Sequence, residues 1–245
     1  MSEQDQKRPQ PTPFPHGVFL PNGLNTDPPL PANDPTVGYK LNHFMMRIRD
    51  PEKSMKFYIE LMGMRTVFTL LASSMNVGPF TIYYLGYPQT AEHRADLAKF
   101  GGDTAMKLQH TLGLLELYHV HGSERQATAP DEGAEGAAER YYSTGNTPPN
   151  LGFGHLGFTV PSVPEALARL KANGVEVVKD LGVCDRESIP ISDWENERGV
   201  GVEVKGTESE IHPEYAKVFN KIAFVRDPDG YIVELVPQNV DPLDP

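Results

Sequence analysis

The sequence predicts an α+β fold built from two copies of one βαβββ module, and three observations carry that prediction. A strand-like segment with a histidine opens each half, 41–49 around His43 and 155–160 at His155. Each is followed by a run with helical spacing that closes on a glycine, 20 residues after His43 at Gly63 and 19 after His155 at Gly174. A glutamate inside an apolar strand then falls 73 residues after the first histidine, at Glu116, and 79 after the second, at Glu234. Self-similarity of this kind marks a repeated supersecondary unit.

In the first module, 38–122, Asp50 and Pro51 supply an N-cap and first helical position. Met55, Phe57, Tyr58, Leu61 and Met62 recur at helical spacing, and Gly63 suits the C-terminal turn. Strands are expected over 66–72, 80–87 and 111–120, with 88–107 a polar loop holding a short helical piece. The second module, 150–240, repeats the plan. A helix is expected over 163–173, a short strand over 175–179, and a hairpin of 222–226 with 231–237 across Asp227-Pro228-Asp229-Gly230. The insertion 181–218 is long and polar and carries Trp194, which suits a covering loop. Residues 1–37 are an arm rich in proline without periodicity, its apolar stretch at 14–20 fitting either a docking segment or a tethered tail. Residues 123–149 read as a linker of small and polar residues, and 241–245 as a tail.

Composition narrows the class. With 245 residues, 39% of them hydrophobic and 22% charged, the chain buries a real core as one or two globular domains. A net charge of −11 repels nucleic-acid backbones and anionic membrane surfaces, so a small-molecule partner is expected instead. No apolar run approaches the roughly 20 residues of a membrane span. The polar start and the single cysteine, Cys184, fit a reducing, cytoplasmic setting.

Two imidazoles and two carboxylates form a donor set of mixed hardness. It suits Zn²⁺, Ni²⁺, Co²⁺ or Fe²⁺ better than Ca²⁺ or Mg²⁺, which prefer oxygen alone. Each residue has an ordinary reading beside this one. His43 taken alone is more often structural than ligating, and His155 between glycines serves equally as a satisfied core histidine. Glu116, in Leu114-Leu115-Glu116-Leu117, and Glu234, between Val233 and Leu235, are more telling. A carboxylate in an apolar strand must be paired or coordinated. Phe44, Met45, Met75, Phe80, Tyr83 and Tyr84 fit either a core or an apolar substrate pocket.

LNHFMMRIRDPEKSMKFYIELMGM, LLELYH, GFGHLGF and DPDGYIVEL together resemble glyoxalase I (lactoylglutathione lyase) of the vicinal oxygen chelate superfamily, over roughly 38–240. The resemblance implies paired modules forming curved, open-barrel sheets. It implies one divalent metal per site, held by His43, Glu116, His155 and Glu234. It further implies a lyase or isomerase that moves a proton through a metal-bound enediolate. The substrate would be a methylglyoxal–glutathione hemithioacetal or a related α-hydroxycarbonyl, with glutathione as co-substrate. Glu234 would be the base and Glu116 a ligand and second proton carrier; Arg47 and Lys179 would hold substrate carboxylates. A histidine at the first position resembles the bacterial nickel-type pattern and leaves Zn²⁺ and Ni²⁺ both open. A homodimer with ligands from both subunits is expected. Two departures bear on the substrate: no arginine precedes GFGH, and Val120 stands where the family has asparagine. Alternatives are an extradiol dioxygenase or secondary-metabolite enzyme of the same superfamily, using His43, His155 and Glu234 as an iron triad, and a non-catalytic small-molecule-binding protein.

Overall fold

A computed structural model of the chain describes residues 27–72, 78–124, 142–147, 150–185, 188, 192–198, 200, 202–205, 208–211 and 213–239. The apolar stretch 14–20, Met75, linker residues 125–141 and the tail 241–245 lie outside the described residues, as does the Trp194 side chain. The chain divides into two compact units. An N-terminal unit comprises 31–143 with 227–230, and a C-terminal unit comprises 1–30, 144–226 and 231–245.

The N-terminal unit opens with β1 (His43–Ile48), in which Met46 and Ile48 are buried and the intervening residues exposed. Helix α1 (Pro51–Met55) starts where Asp50 accepts from the main-chain N–H groups of Glu52 and Lys53. It widens into a π-helical turn (Lys56–Leu61) that buries Phe57, Tyr58 and Leu61. Gly63, at φ +80°, makes the exit turn. Strands β2 (Arg65–Leu71) and β3 (Phe80–Gly86) follow. The connection expected as a loop is mostly helical: α2 (Ala91–Ala95) and α3 (Leu97–Met106). Its caps explain this, since Thr90 accepts from His93 N–H and Asp96 from Lys99 N–H, while Phe100 and Thr104 supply a buried stripe. β4 (Leu114–Val120) completes the module, starting later than expected because Leu108–His110 winds as a 3₁₀ turn.

In the C-terminal unit, the short strands β5 (Asn146–Thr147) and β6 (Asn150–Leu151) pair. β7 (Leu156–Val160) leads to α4 (Val163–Ala172), capped by Ser162, and then to β8 (Val177–Lys179). The described part of 181–218 is structured rather than a bare loop. It holds α5 (Asp193–Glu197) with a Ser192–Glu195 capping box, the hairpin β9 (Val202–Lys205) and β10 (Glu208–Ile211), and most of α6 (Pro213–Phe219). β11 (Ala223–Arg226) and β12 (Ile232–Pro237) finish the module.

The expected repeat is present in the topology. One sheet runs β1-β4-β3-β2 and the other β7-β12-β11-β8, each an open four-stranded sheet with its first strand parallel to its last. Such a parallel pair needs a crossover connection, which the helix after the first strand begins. Each unit has its own core: Ile48, Tyr58, Leu85 and Leu117 in one, Leu170, Val225, Val233 and Leu235 in the other. No helix among the described residues is long and apolar enough to cross a membrane.

Candidate metal centre

The parallel first–last strand pair sets each histidine beside its glutamate. In the N-terminal unit Met45 is the Cα partner of Glu116, so His43 lies two residues before that partner. In the C-terminal unit Gly157 is the partner of Glu234, and His155 again lies two residues before it. The result is nearly the same twice. His43 Nε2 is 3.2 Å from Glu116 Oε2, and His155 Nε2 is 3.1 Å from Glu234 Oε2. The histidine side chains are 37% and 42% exposed and the glutamates 14% and 17%, so both pairs can be approached. On the far side of each glutamate the antiparallel neighbour is aromatic, Tyr84 opposite Glu116 and Phe224 opposite Glu234. Those rings meet the histidines edge-on at 5.4 and 5.5 Å, with interplanar angles of 62° and 63°.

Hydrogen bonds orient the first pair. Asn42 donates its amide N–H groups to the carbonyls of Leu108 and Thr111, at 2.6 and 2.7 Å, which leaves its Oδ1 to accept from His43 Nδ1 at 2.8 Å. With Nδ1 engaged by Asn42, His43 aims Nε2 at a carboxylate oxygen, and a neutral imidazole in that pose offers the nitrogen as a metal donor. A neutral imidazole and a carboxylate 3.2 Å apart can both bind one cation, and the second pair presents the same donor types at 3.1 Å. The donor chemistry therefore fits a borderline divalent ion. Tyr84 donates its hydroxyl to Glu116 Oε2 at 2.6 Å. Burial, together with that bond and the adjacent carboxylate charge, holds the phenol far above its ordinary pKa, so it stays a donor. Among the described residues no three of His, Cys, Asp and Glu gather as a metal-holding group; the donors come in pairs.

The expected carboxylate-binding residues have different settings. Arg47 is exposed on the face of β1 that carries His43, its guanidinium 6.0 Å from the Tyr118 ring centroid. Lys179 pairs with Phe224 and so lies in the row of Glu234, but it is only 1% exposed. Its ammonium donates to the carbonyls of Ile222 and Asp180 at 2.8 and 3.0 Å. Burial pulls its pKa down, opposed by Cys184, Asp180 and Asp185 nearby. Cys184 is free, and burial pushes its thiol up, which disfavours the thiolate a nucleophile needs.

Of the aromatic and methionine set, Phe44 and Met45 are exposed, whereas Tyr84 is buried and stacks on Phe68 at 4.6 Å. The bonds that Tyr84 and Asn42 make to the site escape sequence reasoning, although Asn42 stands inside the first motif. A tyrosine on the strand next to Glu116, 32 residues earlier in the chain, reveals itself only once the β3–β4 register is known.

Comparison with known proteins gives the family. Residues 40–185 match the Glyoxalase/Bleomycin resistance protein/Dioxygenase superfamily. The chain is 31% identical to lactoylglutathione lyase of Pseudomonas putida, across 88% of this chain and 95% of that one. It is 30% identical to lactoylglutathione lyase of Schizosaccharomyces pombe across 82% of its own length, and spans 48% of that relative. Among solved structures, the trypanothione-dependent glyoxalase I of Leishmania major aligns at 20% identity with a TM-score of 0.43, over 82% of this chain and 88% of that one. With a family match covering more than half its length and a relative of similar size above 30% identity, the chain belongs to the Glyoxalase/Bleomycin resistance protein/Dioxygenase superfamily.

Proposed function

We propose that this protein is a metal-dependent lyase of glyoxalase I type that isomerises the hemithioacetal of a small 2-oxoaldehyde and glutathione, or a related α-hydroxycarbonyl. The observation that carries the reading is the duplicated His–Glu pair, with matching distances, exposures and aromatic neighbours in two units. His43, Glu116, His155 and Glu234 would hold the ion, with nickel and zinc the favoured candidates and cobalt or iron also compatible with the donors. Once bound, the ion supplies Lewis-acid polarisation of the substrate's adjacent oxygens. Glu234 then takes the proton from the carbon next to the carbonyl and delivers it to the neighbouring carbon. Glu116 stays a ligand and serves as the second proton carrier.

For the carboxylates of a glutathione-like substrate we assign Arg47 and Lys179. Arg47 stands exposed beside the first pair; Lys179 reaches a substrate by exchanging its bonds to Ile222 and Asp180 for it. We also propose a homodimer in which each four-donor site takes one pair from each subunit, working in the cytoplasm.

The test uses metal-stripped protein supplied with methylglyoxal and glutathione, Ni²⁺, Zn²⁺, Co²⁺ or Fe²⁺ being returned separately. Thioester formation should depend on the returned metal and disappear in Glu234→Gln. Stoichiometric metal uptake without thioester would overturn the substrate assignment and direct attention to catechols under air. Turnover that survives Glu234→Gln would overturn the assignment of the base.

A further inference from the structure

The two half-sites match in strand register, distances and ring geometry, yet differ at three neighbouring positions, all in one direction. Asn42, which fixes His43 through Nδ1, has Gly154 as its counterpart, with no side chain to hold His155. Met45, the cross-strand partner of Glu116, is matched by Gly157, where an added Cβ would meet Glu234 Oε2 at 3.4 Å. Tyr84, whose hydroxyl bonds Glu116, is matched by Phe224, which brings the same ring and no hydroxyl. Among the described residues Glu116 meets His43 and accepts a hydrogen bond from Tyr84, while the Glu234 carboxylate meets His155 alone.

A hydrogen-bonded carboxylate keeps its orientation as a ligand. One that must leave the ion, take a proton and return needs freedom and space. The main chain and rings are duplicated, so repeat geometry does not distinguish the two glutamates; the three side chains do. Resting on the reading above, we infer that Asn42 and Tyr84 are positioning residues that make the His43–Glu116 pair the fixed anchor of the ion, while Gly154, Gly157 and Phe224 leave the His155–Glu234 pair free to move. In this division Tyr84 sets metal retention and the missing hydroxyl at Phe224 sets turnover. The pattern was latent in the sequence as NHF against GHL, but its meaning needs the cross-strand partners.

The experiment exchanges the hydroxyl between the two positions in the full-length protein, with Co²⁺ as the probe. Tyr84→Phe keeps the ring that packs with Val67, Phe100 and Leu114, so the metal-free melting temperature should fall by less than that of the Co²⁺ complex. Its Co²⁺ affinity, measured by chelator competition, should fall about ten-fold, as expected for losing a hydrogen bond to a charged group. Phe224→Tyr should lower kcat about ten-fold with KM unchanged, because the new hydroxyl tethers the base, and Co²⁺ affinity should hold or rise. The inference is overturned if Tyr84→Phe changes Co²⁺ affinity by less than about two-fold. It is equally overturned if the metal-free protein loses as much stability as the metal complex does, since Tyr84 would then be a packing residue. Should Phe224→Tyr fail to fold, the affinity and melting of Tyr84→Phe decide alone. Wild-type protein that takes up no Co²⁺ refutes the metal centre itself, an outcome separate from either variant's behaviour.

Discussion

Asp229, 6% exposed, accepts from the Arg49 main-chain N–H at 2.8 Å and the Ser54 hydroxyl at 2.9 Å. Its neighbour Asp227, 5% exposed, accepts from the Tyr58 hydroxyl at 2.8 Å. Replacing Asp229 by alanine strands a buried hydroxyl and a main-chain N–H. It should lower unfolding free energy by about 2–4 kcal/mol, measured by urea denaturation of the metal-free protein. A loss below about 0.5 kcal/mol would mean that water replaces the carboxylate at no cost. Lys179 carries a pH prediction. Burial holds its folded pKa below the ordinary 10.5, so between the lowered value and 10.5 the unfolded chain binds more protons than the folded one. Stability must therefore rise with pH across that window. The urea midpoint of the wild type should climb relative to Lys179→Met as the solution becomes alkaline, and a flat difference would refute the shift. At this scale the two His–Glu pairings were legible, because a glutamate set among leucines and valines has to be paired or coordinated, and each meets the histidine of its own module. Tyr84 and Asn42 were not, since each acts through a partner that sheet register or a distant turn supplies.

Helix α3 shows how an element hides in a sequence. Gly101 and Gly102 interrupt its interior, and glycine argues against helix by about 1 kcal/mol per residue. Its Asp96 cap and its buried Phe100 and Thr104 outweigh that. The two glycines have opposite environments. A Cβ on Gly101 would lie 2.9 Å from the main-chain oxygen of Val67 in β2, whereas one on Gly102 meets nothing within 4 Å. Gly101→Ala should therefore destabilise by about 1–3 kcal/mol through forced separation of helix and strand. Gly102→Ala should stabilise by about 0.5–1 kcal/mol by removing backbone freedom from the unfolded chain. Thermal melts of the two variants decide this, and shifts of the same sign would contradict the close approach. The first helix and the terminal hairpin were plain in the sequence because Asp50-Pro51 and Asp227-Pro228-Asp229-Gly230 write their own boundaries. The helices and hairpin within 181–218 were not, because α5 is polar apart from Trp194 and the alternation of Val202 and Val204 is too short to mark a strand.

For the molecule, duplication places one donor pair in each unit, and the proposed site needs both pairs. Where they meet can be read from mixed variants. Glu116→Gln disables the N-terminal pair and Glu234→Gln the C-terminal pair, so each variant alone should be close to inactive. If sites form between subunits, a heterodimer of the two variants has one site bearing both substitutions and one bearing neither. Random exchange of equal amounts makes half the dimers mixed, with one intact site in two, and activity should recover to about a quarter of wild type. If each site forms within one chain, every site in the mixture keeps a substitution and nothing is recovered. Wild-type protein that is monomeric by light scattering yet fully loaded and active would also refute sharing. Recovery requires subunits to exchange, so the mixture is refolded together and compared with each variant refolded alone. The measurement tests a whole-molecule consequence of the proposed function: whether the two donor pairs of one site come from one chain or from two.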